Sequence, residues 1–387
     1  MEELTGFDDI RPYYDEELIP VIARLLEDSE FQRVAGYLFP DRSWEEMKVF
    51  LQSFTNIKDF QHNLIVRLAG EIAAKSADSI DSKGFGDLPE NKSFTYISNH
   101  RDIILDASIL NVELIKVGLE TTEIAIGDNL LLQKWIEDIV RLNKSFIVKR
   151  SVSLRQILEV SHHLSEYIHF VIQHKKESIW IAQREGRAKD SNDRTQESLL
   201  KMLAMGGNKN FLKSIASLNI VPVAFSYEYD PCDYLKAKEF QLKRDIPEFK
   251  KTQQDDVVNM QTGLFGYKGK VHVQIGQPIN SILPEIDLTL GKNEQIKRVA
   301  SLIDNEIFLN YRFYPVNYIA YDRLEGAAIF KAYYTPADTE IFDAYLQKQL
   351  DRIDLPSKDI PFLTERILTM YANPLRNNLL TKQLCIS

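Results

Sequence analysis

The sequence predicts an α/β fold: a largely parallel central sheet flanked by helices, with helical extensions at both ends. Three observations lead there. Short runs rich in β-branched and aromatic residues recur at 94–98 (FTYIS), 145–150 (SFIVKR), 178–182 (SIWIA), 220–227 (IVPVAFSY) and 270–275 (KVHVQI), the length and composition of buried strands. Between them lie stretches with apolar residues at helical spacing, the alternation that builds a parallel sheet. Both ends of the chain return to helical patterning. The expected division is a helical region over 1–85, an α/β domain over 86–290 and a helical region over 291–387.

Taken in order, the first helix follows an acidic first turn, with Asp15, Glu16 and Glu17 ahead of Leu18, Ile19, Val21, Ile22, Leu25 and Leu26. Ser43 and Glu46 make a capping-box pattern before Met47, Val49, Phe50 and Leu51. A third helix is expected over 60–74. Residues 79–92 (SIDSKGFGDLPENK) are polar, with two glycines and a proline, and read as a connection. The strand at 94–98 then meets Asn99-His100-Arg101-Asp102, and apolar residues resume from Ile103 with near-helical spacing. A short amphipathic helix follows over 130–142, and the strand at 145–150 ends in Lys149-Arg150. Residues 152–174 read as helix. The strand at 178–182 runs into Gln183-Arg184-Glu185-Gly186-Arg187, and 199–217 is helical with a Gly206-Gly207 break. Strand 220–227 carries Pro222, and a turn-rich stretch at 265–269 precedes strand 270–275.

A hydrophobic fraction of 44% and a charged fraction of 27% are those of an ordinary globular protein. Two cysteines, Cys232 and Cys385, imply neither a disulfide framework nor a thiolate metal site. With the acidic start Met1-Glu2-Glu3, this favours the reducing cytoplasm. No window approaches the roughly 18 uninterrupted apolar residues of a membrane span. The net charge of −9 conceals an asymmetry. Residues 1–60 hold 14 acidic and 6 basic side chains, residues 141–215 hold 14 basic and 7 acidic. The bland account is two solvated faces of opposite sign; the sharper one is that the middle of the chain handles an anion.

In an open parallel sheet, ligands bind outside the carboxyl ends of the strands. Three predicted strand ends carry conspicuous polar residues: His100, Lys149-Arg150 and Glu185-Gly186-Arg187. A histidine held between a strand and a helix suits a general base, with Asp102 or Asp106 orienting its other ring nitrogen. Taken alone, a histidine near an aspartate is more often a turn or a helix cap. Arginine suits phosphate because its planar fork offers parallel donors and stays ionised. Gly186 would let backbone approach a ligand. His162, His163, His169 and His174 share helical spacing, but few carboxylates accompany them, so no metal site is expected. A phosphohydrolase or kinase would need a P-loop or a carboxylate metal site, and neither is found. The acidic whole argues against nucleic acid as a partner.

These blocks resemble the glycerol-phosphate acyltransferase superfamily, whose members acylate glycerol 3-phosphate or its 1-acyl derivative. Its N-H-x4-D signature is similar to Asn99-His100 with Asp106, one residue further on than usual because Leu105 holds the expected position. Its G-x-x-F-I-x-R block looks like Lys144 to Arg150, and its E-G-x-R-S block like Glu185-Gly186-Arg187 without the serine. Its proline-bearing apolar block is similar to Ile220-Val221-Pro222-Val223, and Ile275-Gly276-Gln277-Pro278-Ile279 to a stretch near the family's C-terminal edge. The resemblance spans about residues 94–280. It implies an O-acyltransferase of bacterial phospholipid synthesis that moves a fatty acyl group from an acyl-CoA or acyl-carrier-protein thioester onto a glycerol-phosphate-type hydroxyl. His100 would be the base, Asp106 or Asp102 its partner, and Lys149, Arg150, Glu185, Gly186 and Arg187 the acceptor site. No cofactor beyond the co-substrate is implied. Such an enzyme would work in the cytoplasm, held peripherally to the anionic inner face of the plasma membrane. Two alternatives stay open: acylation of another lipid head group, or a non-enzymatic anion-binding scaffold.

Overall fold

The computed structural model of the protein describes residues 6–150, 152–153 and 155–386. The acidic Met1-Glu2-Glu3 terminus and the thiol of Cys385 lie outside that description. The fold is α/β, built on a seven-stranded sheet with strands β1 (Ser79–Lys83), β2 (Thr95–Ser98), β3 (Glu123–Gly127), β4 (Ser145–Val148), β5 (Ile179–Ala182), β6 (Ile220–Tyr227) and β7 (Lys270–Ile275). Their order across the sheet is β1-β7-β6-β2-β5-β3-β4. From β6 to β4 every pairing is parallel; β7 runs antiparallel to β6, and β1 is parallel to β7. The carboxyl ends of β2, β3, β4, β5 and β6 therefore share one edge.

The central strands are apolar because both faces are covered. Every residue of β2 and β6 is buried. One face packs on helices Ile157–Phe170, Glu197–Leu203, Phe211–Ala216 and Lys292–Leu309, through residues such as Phe146, Ile168, Ile215 and Ile303. The other packs on helices Arg67–Ser76 and Leu105–Lys116 through Ala73, Leu105, Leu110 and Leu114. Separate apolar clusters join the N-terminal helices, around Leu18, Leu25 and Phe60, and the C-terminal ones, around Phe342, Leu363 and Ile367. Pro222 is admitted into central strand β6 because registered pairing with β7 begins one residue later, at Val223 with Ile275.

Two strands escape the sequence pattern. Residues 79–83, read as connection, form edge strand β1, whose residues are half-buried or exposed. With one partner strand and no apolar alternation, it carries no strand signature. Strand β3 is missed because a buried glutamate opens it: Glu123 is fully buried, paired with Lys175 and accepting from the Tyr167 hydroxyl at 2.5 Å. The helix expected over 130–142 starts at Lys134, and that expected over 152–174 starts at Ile157.

Candidate active site

The site is built at the end of β2. Beyond Ser98, the buried Asn99 side chain continues the strand's pairing in place of backbone: its amide donates to the Phe225 carbonyl at 2.9 Å, and its oxygen accepts from Phe225 N at 2.8 Å. That double bond fixes where the chain turns. His100 follows, its ring edge-on to Trp180 with centroids 5.6 Å apart, and the Trp180 indole is held by Ser98 Oγ at 3.0 Å.

His100 Nδ1 lies 2.9 Å from Asp106 Oδ2. Asp106 is fully buried, and a buried carboxylate is tolerable only with donors around it. Here Oδ2 also accepts from Arg101 N at 2.6 Å and Asp102 N at 3.0 Å, and Oδ1 accepts from the Tyr227 hydroxyl at 3.0 Å. Among the described residues nothing hydrogen-bonds His100 Nε2. Asp102 faces another way. Its Oδ1 accepts from Ile104 N at 2.9 Å and Leu105 N at 2.8 Å, closing the first turn of helix Leu105–Lys116. Burial, with Asp106 nearby, pushes its pKa up. The turn at 101–104, drawn tight by Asp102, takes up the extra residue between His100 and Asp106.

His100 opens on a cavity of about 770 Å³ at the carboxyl edge of the sheet. Arg150, Glu185, Gly186 and Arg187 line it too. Arg150 approaches Glu185 at 3.9 Å, and its backbone N–H donates to Asp128. A Cβ on Gly127 would fall 2.7 Å from Arg150 Nε, so the bare glycine makes room for that guanidinium. Gly186 has φ +67°, a left-handed backbone that favours glycine, with no atom within 4 Å of its open side. Arg187 is half-buried and donates from Nη2 to Asn259 at 2.9 Å, while its buried Nη1 has no partner. Burial opposes its charge, but the surrounding Cys232, Asp102 and Asp230 outweigh that and raise its pKa.

Lys149 does not join them. It pairs with Asp9, which also holds His163 at 3.0 Å, on a different surface. Adjacent residues leaving a strand point to opposite faces, so Lys149 and Arg150 could not both reach one cavity. The four helix histidines do not converge either. His162 meets Glu166, His163 meets Asp9, His169 Nε2 donates to the Leu203 carbonyl and His174 stacks on Phe170. Among the described residues no group of three or more His, Cys, Asp or Glu is placed to hold a metal ion.

Sequence reasoning missed much of the far wall. Helices Asp233–Asp245 and Gln253–Phe265, inserted between β6 and β7, contribute Lys236, Glu239, Lys243, Asp256 and Asn259, with Lys251 just before the second. With Arg184, Lys189 and Arg194 from the loop after β5, the cavity is lined by eight cationic side chains and four carboxylates. Tyr227 did leave a signal in the sequence, as the polar-tipped residue that ends the predicted strand 220–227.

No protein-family model matches the sequence, and no curated protein does. Among solved structures, the 1-acyl-sn-glycerophosphate (LPA) acyltransferase PlsC from Thermotoga maritima is similar at a TM-score of 0.34 and 14% sequence identity, over 75% of this chain and 92% of that chain. A likeness that loose leaves the reading of the site to rest on its own geometry.

Proposed function

We propose that this chain is an O-acyltransferase that moves a fatty acyl group from a CoA or acyl-carrier-protein thioester to the hydroxyl of a glycerol-phosphate-type acceptor in phospholipid synthesis. The observation that supports it most is the His100–Asp106 pair at the mouth of a cation-lined cavity. His100 Nε2 takes the acceptor's hydroxyl proton as that oxygen attacks the thioester carbonyl. The carbon–sulfur bond breaks, and the imidazolium returns its proton to the leaving thiolate. Asp106 holds the ring and stabilises its cationic form. The acyl group passes directly to the acceptor, so no covalent enzyme intermediate is called for. The unpartnered Arg187 Nη1 suits a phosphate oxygen, Arg150 meets the same group from the end of β4, two strands across the sheet from β5, and Glu185 steers Arg150. Gly186 keeps the approach clear.

Arg150→Ala and Arg187→Ala are expected to raise the acceptor's KM about tenfold or more, with a smaller change in the donor's. Initial rates measured against each substrate in turn check this. Equal effects on both constants would mean that these arginines grip the donor.

An enzyme with an amphiphilic acceptor and product must reach a bilayer, and among the described residues no helix is long and apolar enough to cross one. We place its contact at the periphery of an anionic inner leaflet, drawn by the basic middle of the chain at about 1 kcal/mol per surface Lys or Arg. Shallow insertion through 211–225 or 311–321 has little surface to work with: Phe211, Leu212, Ile215, Phe225, Tyr311, Tyr314, Val316 and Ile319 are all core. Co-sedimentation should show binding to anionic vesicles that weakens as salt brings the Debye length below about 10 Å. Equal pelleting with neutral vesicles, unchanged by salt, would rule out electrostatic attachment.

A further inference from the structure

Eight basic side chains line the cavity against four carboxylates, and one of the eight, Lys236, is already matched by Asp230 behind the wall. The basic side chains fall into two groups, and helix Gln253–Phe265 gives the scale between them. At one end, a Cβ on Gly263 would fall 2.0 Å from Asp102 Oδ2, beside the His100 turn. One turn back, Asn259 takes the Arg187 guanidinium. Further back, Asp256 pairs with Lys251. At 1.5 Å per residue, Asp256 lies about 10 Å along the helix from Gly263. Across from it, Glu239 is shared between Lys189 and Lys243, so two carboxylates serve three ammonium groups on this wall.

We infer that Lys189, Lys243 and Lys251 form a second phosphate subsite, which holds a phosphate of the thioester donor's carrier. This rests on the acyltransferase reading and extends it. The acceptor's phosphate is only a few bonds from the hydroxyl that His100 must reach, which suits Arg187. A donor's phosphate is separated from its thiol by the whole pantetheine arm, which suits cations set well back from His100. Burial and the neighbouring Lys243 bring the Lys189 ammonium down to a pKa of about 7, so an anion docking there relieves a strained charge. Coenzyme A and the prosthetic group of acyl carrier protein both carry a phosphate at the end of that arm.

The test is the Lys243→Gln/Lys251→Gln double variant. Both side chains reach solvent, at 53% and 24% exposure, so the fold should survive their loss. By calorimetry, binding of free coenzyme A and of holo acyl carrier protein is expected to weaken about tenfold or more. In kinetics with an acyl-CoA, the donor's KM should rise by a similar factor while the acceptor's stays within about twofold. With S-acyl-pantetheine, which lacks the phosphate, the deficit should vanish, as a double-mutant cycle requires of partners in direct contact. A larger loss with one carrier than with the other identifies the source of the phosphate. Wild type that binds neither carrier, a variant that binds both undiminished, or a rise in the acceptor's KM alone would overturn the subsite. If no acceptor is acylated at all, weakened carrier binding in the variant would keep the subsite and remove the transferase reading.

Discussion

Replacing His100 with alanine is expected to lower kcat for acyl transfer by about two to four orders of magnitude, the usual contribution of a positioned general base. The fold should persist. The imidazole borders a cavity rather than the core. Its loss does not orphan Asp106, which keeps Arg101 N, Asp102 N and the Tyr227 hydroxyl as donors. A buried carboxylate stripped of its partners would cost several kcal/mol; this one is stripped of a single donor. Circular dichroism melts beside thiol-release rates would separate the two effects. A variant that turns over at near the wild-type rate would remove His100 from the chemistry.

Asp106→Asn is the second large effect, and its direction follows from which groups surround each oxygen. The amide can keep its oxygen toward His100, Arg101 N and Asp102 N only by turning its NH2 group toward Tyr227. A hydroxyl both donates and accepts, so Tyr227 can rotate to receive it. The ring thus stays in place while the negative charge behind it is lost. We expect kcat to fall by about two to three orders of magnitude, because the imidazolium formed during transfer is no longer stabilised. Combined with His100→Ala, the change should add little, since the carboxylate acts only through the ring. Asp102→Ala makes the contrast. That side chain closes the first turn of a helix, so its replacement should cost about 1 kcal/mol in stability and little in rate. Additive losses for His100 and Asp106, or an Asp102 variant slower than the Asp106 one, would mean that the pairing has been assigned to the wrong carboxylate.

How much of this was legible depended on what each residue packs against. Strands β2, β5 and β6 stand out in the sequence because burial on both faces demands apolar runs, β7 because Val271, Val273 and Ile275 alternate with polar residues, and β6 and β7 fall where the composition puts them. Edge strand β1 has no such demand on it, and β3 hides behind a glutamate whose burial depends on a lysine 52 residues away. His100, Arg150, Glu185, Gly186 and Arg187 meet at one cavity because parallel strands deliver their carboxyl ends to one edge. The same reasoning was blind to alternation at the end of β4, which sends Lys149 to Asp9 instead. Lys243, Lys251 and Asn259 could not be foreseen. They sit on helices inserted between β6 and β7, and nothing local tells where such an insertion folds back.

The most direct test of the acyltransferase reading is thiol release from an acyl thioester, followed with and without acceptor. With glycerol 3-phosphate or its 1-acyl derivative present, the account predicts release that rises with acceptor concentration, matches ester formed one for one and disappears in His100→Ala. Release that ignores the acceptor, or persists in that variant, would contradict it.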